Sequence, residues 1–129
     1  MGVKREACDQ WMSKVVRLKA KHTCEACGNM DRQMHNCHVF SRSRKATRWS
    51  LYNTLCMCSY CHMHFTGNPI EFTQFLNKYL GPAHLEILQE KSNALMKTTK
   101  ALRKEIASHY KEEYKKLEGN PDYEPISWN

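Results

Sequence analysis

Four cysteines in two Cys-x-x-Cys pairs, Cys24/Cys27 and Cys58/Cys61, bracket the part of the chain that could do chemistry. Thiolates at that spacing close a tetrahedral zinc site, because each pair folds into a tight knuckle and together they complete the shell. Disulfides and a redox dithiol are the other uses of such cysteines. The first residues, Met1 to Lys21, are studded with Lys and Arg and contain no apolar leader. That favours a reduced, cytoplasmic chain and metal ligation. Cys56 offers only the poorer knuckle Cys56-x4-Cys61, and Cys8 falls on a helical apolar stripe, so both read as core. Between the knuckles lie His35, Cys37, His38 and Asn53, and His62 follows the last cysteine. A four-sulfur zinc needs none of them. They point to a second site, where imidazoles can move protons near neutral pH or hold a divalent ion.

The elements that must position these groups can be read from periodicity. Residues 4–21 predict a helix, with Cys8, Trp11, Met12, Val15 and Leu18 on one stripe and most cations off it. That polar face is either solvated or a source of phosphate contacts from Arg17, Lys19 or Lys21. After the first knuckle, whose Gly28 supplies a permissive turn, residues 29–36 read as loop. Residues 37–41 predict a short strand, 43–48 a basic connection, and 49–52 a returning strand. Residues 55–65 carry the second knuckle into a helix. Asn68, Pro69 and Glu71 form a helix start, with Asn68 as the cap. Gly81-Pro82 breaks that helix, a short one follows, and Thr98 or Thr99 caps a longer one running to Glu118. Its stripe of Leu102, Ile106, Tyr110, Tyr114 and Leu117 reads as core, or else as a dimer interface. The expected fold is α+β. Residues 1–68 would form the basic helix and metal-stapled core, 69–118 a helical extension packed on it or used for dimerisation, and 119–129 a loose tail. Within the tail, Tyr123, Ile126 and Trp128 could dock.

Charge is uneven along the chain. Residues 1–65 hold eleven Lys/Arg against four acids, whereas residues 66–129 hold nine of each. The whole net charge of +7 therefore accompanies the Cys/His region, a field that favours a polyanion, most simply nucleic acid. Arg42, Arg44, Lys45 and Arg48, interleaved with Ser and Thr after His38, are suited to phosphate oxygens. No run approaches the ~18 apolar residues of a membrane span.

The order His38-Val39, Asn53, Cys58-Ser59-Tyr60-Cys61-His62 resembles the HNH, or ββα-metal, endonucleases. The likeness is greatest to the phage NinG (Rap) recombination endonucleases. It rests on Arg17-Leu18-Lys19 at the end of a basic helix, on Cys24 to Gly28, on the His38 and Asn53 order, and on Thr66-Gly67-Asn68 after the second knuckle. The resemblance implies a β-hairpin and helix clipped by zinc, and hydrolysis of DNA phosphodiesters, with branched intermediates such as four-way junctions as substrates. A plain nicking or double-strand endonuclease, and a zinc-stapled DNA-binding module without catalysis, are the alternatives. His38 matches the general base, Asn53 the residue that orients it, and His62 a ligand of a catalytic magnesium or manganese ion. His35 occupies a position where these proteins usually carry Asp, and Cys37 one where many HNH enzymes place a ligand. A thiolate is a poor magnesium ligand. Either Cys37 is silent and His35 takes its place, or the ion is manganese or a later transition metal. His64 and Asn68 could reach the same pocket, while His22, His84 and His109 read as surface or packing.

Overall fold

The computed structural model describes residues 4–129. Helix α1 spans Ala7–Lys19. Its start is closed reciprocally, the Glu6 side chain capping the first turn and Asp9 Oδ2 accepting from the Glu6 N–H at 2.8 Å. Cys8, Met12, Val15 and Val16 are its buried stripe. Helix α6, Lys100–Gly119, lies against that stripe through Ile106, Tyr110 and Leu117. Thr99 caps α6, its hydroxyl accepting from the Leu102 N–H at 3.1 Å. The two helices run in the same direction: Arg103 reaches Glu6 at 2.9 Å, Trp11 meets Tyr114 with ring centroids 5.8 Å apart, and Lys19 pairs with Glu124 at 3.9 Å. The α6 stripe is therefore core.

Strand β1, Met34–His38, and strand β2, Thr54–Cys58, form a two-stranded antiparallel sheet. Its register runs from Met34 opposite Cys58 to His38 opposite Thr54. This corrects the strands expected at 37–41 and 49–52. All five positions of β2 are buried, because α1 and the helix α3, Ser59–Thr66, both pack on the sheet, so β2 lacks the polar–apolar alternation that marks a half-exposed strand. The alternation at Trp49–Tyr52 belongs instead to a turn. Helix α2, Lys45–Arg48, leads into Trp49, which is 1% exposed, and then into a 3₁₀ turn, Leu51–Asn53.

Helix α3, Ser59–Thr66, follows β2 directly. Helices α4, Pro69–Tyr79, and α5, Pro82–Ser92, start on prolines, where a missing N–H costs nothing. Gly81, at φ +89°, makes the turn between them. Asn68 precedes α4 but does not cap it. Its Nδ2 donates instead to the His64 carbonyl of α3 at 2.7 Å, and so closes the end of the preceding helix. Among the described residues, no helix is long and apolar enough to cross a membrane.

The segment after α6 is docked. The Tyr123 hydroxyl and the Ile126 N–H both donate to Oε1 of the buried Glu113, at 2.7 Å each. The Trp128 N–H donates to the Tyr110 hydroxyl at 3.0 Å, and that hydroxyl donates to the Trp49 carbonyl.

Candidate functional site

The four knuckle cysteines converge. Their sulfurs lie within 4.8 Å of one another, and those of Cys27 and Cys58 are 3.8 Å apart. Four sulfurs at ~2.3 Å from a tetrahedral ion are ~3.8 Å apart, so the donor set fits zinc. The first knuckle is pinned to the edge of β2. The Glu25 N–H donates to the Cys56 carbonyl at 2.8 Å, and the Cys56 N–H returns a bond to Glu25 Oε2 at 2.6 Å. Gly28, at φ +78°, turns the chain back so that its N–H meets the Cys24 carbonyl at 2.9 Å. Cys58 precedes α3, and its sulfur accepts from the Cys61 N–H at 3.4 Å and from Arg32 at 3.8 Å. Burial opposes ionisation of Cys58, but these donors outweigh it and bring the thiol down to about 6. Cys56 and Cys8 are core, as expected.

A cavity of about 550 Å³ lies between the polar face of α1 and strand β1. His35, His38 and His62 all border it, as does Arg42. A second cavity, about 310 Å³, lies beside Val16, Leu51 and Tyr79. The acid in its lining is Glu25, whose oxygens already accept from the Cys56 N–H and the Tyr79 hydroxyl, so it offers no open acid–base group.

His38 is fastened through Nε2, which lies 3.1 Å from the Arg48 carbonyl. A carbonyl only accepts, so Nε2 carries the proton and Nδ1 holds the lone pair. Nδ1 makes no hydrogen bond among the described residues. Burial is the main cause that lowers this imidazole to about 4; the Arg48 carbonyl opposes it, and the nearby Arg42 guanidinium adds to the lowering. His35 and His62 face each other, their Nδ1 atoms 2.9 Å apart. Two nitrogens ~2.1 Å from an octahedral ion stand ~3.0 Å apart, so the pair fits one edge of such a shell. His62 is also shifted down, by burial and then by His35 and Arg5, which favours its neutral form.

Three expected roles change. Asn53 makes no hydrogen bond to His38. It is fully buried, accepts the Phe40 N–H at 2.8 Å, and donates to the Phe40 and Thr47 carbonyls at 3.1 Å each. Asn53 therefore shapes the 40–47 loop, and the Arg48 carbonyl orients the histidine. Cys37 is 4% exposed and points the opposite way to its strand neighbour His38. Burial, then the nearby Cys24 and Glu25, push its thiol up to about 12, so it is a protonated core residue rather than a ligand. Arg48 is buried and holds Asp9 bidentately, at 3.0 Å and 2.6 Å. Its guanidinium lies 4.8 Å over the Trp49 ring, and Trp49 Nε1 also donates to Asp9 at 3.1 Å. No phosphate can reach it. Arg44 is exposed but donates to Asn93 at 2.7 Å, and Lys45 is exposed on α2.

Two features were not expected. Asn36 borders the cavity, and its Oδ1 is enclosed without a hydrogen-bond partner among the described residues. Gln10, Ser13, Lys14 and Arg17 of α1 form the opposite wall. Their i, i+3, i+4, i+7 spacing is a signal visible in the sequence, but only the fold shows what that face meets. His64 lies on the outer side of α3, 2.5 Å from Glu71. His84 and His109 donate to the Tyr52 and Ile126 carbonyls and are packing residues.

Among the described residues, only the four cysteines bring three or more His, Cys, Asp or Glu ligand groups together. The His35–His62 pair thus has no third ligand of those types.

Residues 4–120 match the family model described as the bacteriophage lambda NinG protein, and the chain belongs to that family. No curated protein matches, and no solved structure matches.

Proposed function

We propose, from the premise that the chain is a NinG protein, that it is a metal-dependent endonuclease of the ββα-metal type hydrolysing DNA phosphodiesters, with branched recombination intermediates as substrates. The observation that carries this reading is His38: one nitrogen is anchored to the Arg48 carbonyl, the other has no hydrogen-bond partner among the described residues, and the residue lines the same cavity as the His35–His62 pair. Nδ1 of His38 takes the proton of the attacking water as the P–O bond forms. His35 and His62 would hold the divalent ion, which when bound stabilises charge on the phosphate and on the departing 3′-oxygen. Nitrogen ligands favour manganese or a later transition metal over magnesium, with water and phosphate oxygens completing the shell. The zinc knuckles do no chemistry. They join β1, β2 and α3, the elements that carry His38 and His62.

The missing third ligand of the His35–His62 pair favours a second reading, a zinc-stapled DNA-binding module without catalysis. One experiment separates the two. The purified protein is incubated with a four-way junction and a linear duplex, with magnesium, manganese or no added ion, beside His38→Ala and His62→Ala. Ion-dependent cutting abolished by either substitution, in proteins that still melt normally, is the expected result. Binding without cutting under every ion would leave the module.

A further inference from the structure

We infer that α1 is the phosphate-binding wall of the site: Arg5, Lys14 and Arg17 take the backbone phosphates of the DNA strand that enters the cavity. The inference rests on the reading that the His38–His62 cavity takes DNA, and it relocates the expected DNA contact. Of the basic segment after His38, Arg42 borders the cavity, but Arg48 is buried on Asp9 and Arg44 is hydrogen-bonded to Asn93. The cations of α1 are placed differently. Lys14 and Arg17 sit one turn apart on the face that lines the cavity, and Arg5 lies just before the helix on the same lining. No ion pair engages any of the three among the described residues; Lys14 rests 4.5 Å over the Trp11 ring. The acid in the lining is Asp9, and Arg48 already neutralises it. Lys19, by contrast, turns away from the cavity and pairs with Glu124.

The charge along this wall is therefore uncompensated, and it faces the imidazoles. Gln10 and Ser13 stand between the cations as neutral hydrogen-bonding groups, the mix that binds sugar–phosphate rather than reads bases. A wall of this kind holds a strand by charge, with affinity tied to salt and indifferent to sequence. It would set the scissile phosphate against His38 from the side opposite β1.

The test is the salt dependence of binding, measured with a labelled four-way junction and a linear duplex, zinc retained and no other divalent ion added. Each phosphate contact on duplex DNA contributes ~0.9 to the slope of log K against log salt. The double variant Lys14→Gln/Arg17→Gln should lose about 1.8 from that slope, and its melting should be unchanged. The equal charge change Lys104→Gln/Lys115→Gln, on exposed positions of α6, should leave the slope alone. An unchanged slope in the α1 variant, or an equal loss in the α6 variant, overturns the proposal. The two readings fail separately. Binding with the predicted slope loss but no cutting under any ion removes hydrolysis and keeps the wall. Cutting with an unaltered slope removes the wall and keeps hydrolysis. Wild-type protein that binds neither DNA overturns both.

Discussion

His38 has a consequence that can be measured at the scale of one side chain. Only neutral imidazole accepts a proton, and burial lowers this ring from 6.5 to about 4. Its base form is then complete at pH 6 as well as at pH 7.5. Cleavage should stay level between those values, where an unshifted imidazole would lose about fourfold. A fourfold fall, matching a free histidine, would show that another group is the base. Arg48 invites a second measurement. It was expected on DNA, and nothing in local spacing could reveal that its partner is Asp9, 39 residues earlier. Removing one member of a buried pair strands the other, so Arg48→Ala should cost about 3–5 kcal/mol in denaturant unfolding. Asp9→Asn/Arg48→Met, which strands no charge, should cost clearly less; equal losses would mean that packing rather than charge is at stake. The clustered cysteines were legible for the converse reason: a Cys-x-x-Cys knuckle is built from neighbours, so its geometry is written within four residues.

At the scale of elements, the hairpin and the helix that carry the two sites meet at one cluster of four cysteines that could hold a metal ion. Cys24 and Cys27 reach the sheet edge, while Cys58 ends β2 and precedes α3. Cys56 is as deeply buried as Cys58 but belongs to the core. The two therefore make a matched comparison. Wild type and Cys56→Ser should carry one zinc per chain by metal analysis. Cys58→Ser should carry none and should lose far more melting temperature, since metal binding and folding of such a motif are one process. Zinc retained by Cys58→Ser would disprove the four-sulfur site. The longer helices were readable from stripes and caps, but the short α2, within what was expected as a connection, and the strand positions were not. β1 was displaced because its residues Met34 to His38 mix polar and apolar types without a strand pattern. β2 was displaced because burial on every side removes the alternation that identifies a strand.

For the whole molecule, the outer end of the chain supports the site from a distance. Ser127 accepts the Leu51 N–H at 2.9 Å, and Asn129 Nδ2 donates to the Ala46 carbonyl at 2.8 Å. Tyr110 joins Trp49 to Trp128. These bonds bracket the 46–51 segment, which presents the Arg48 carbonyl to His38. The family match ends at residue 120, so this buttress lies outside the matched span. The sequence offered Tyr123, Ile126 and Trp128 as docking residues but not their partners, because each of these bonds joins residues 18 or more apart and uses backbone groups that every residue has. Deleting residues 126–129 leaves those backbone groups without partners and frees the hook that holds the imidazole. Global stability should fall by about 1–3 kcal/mol, the range for a few lost hydrogen bonds, most of them partly buried. The sharper readout is local. Amide exchange in residues 46–53 should accelerate in the truncated protein, while α3 and the zinc knuckles keep their protection. Cleavage should fall through kcat, because the strand still meets the α1 wall but His38 is no longer held in register with it. Unchanged exchange in 46–53 would show that the segment stands without its buttress.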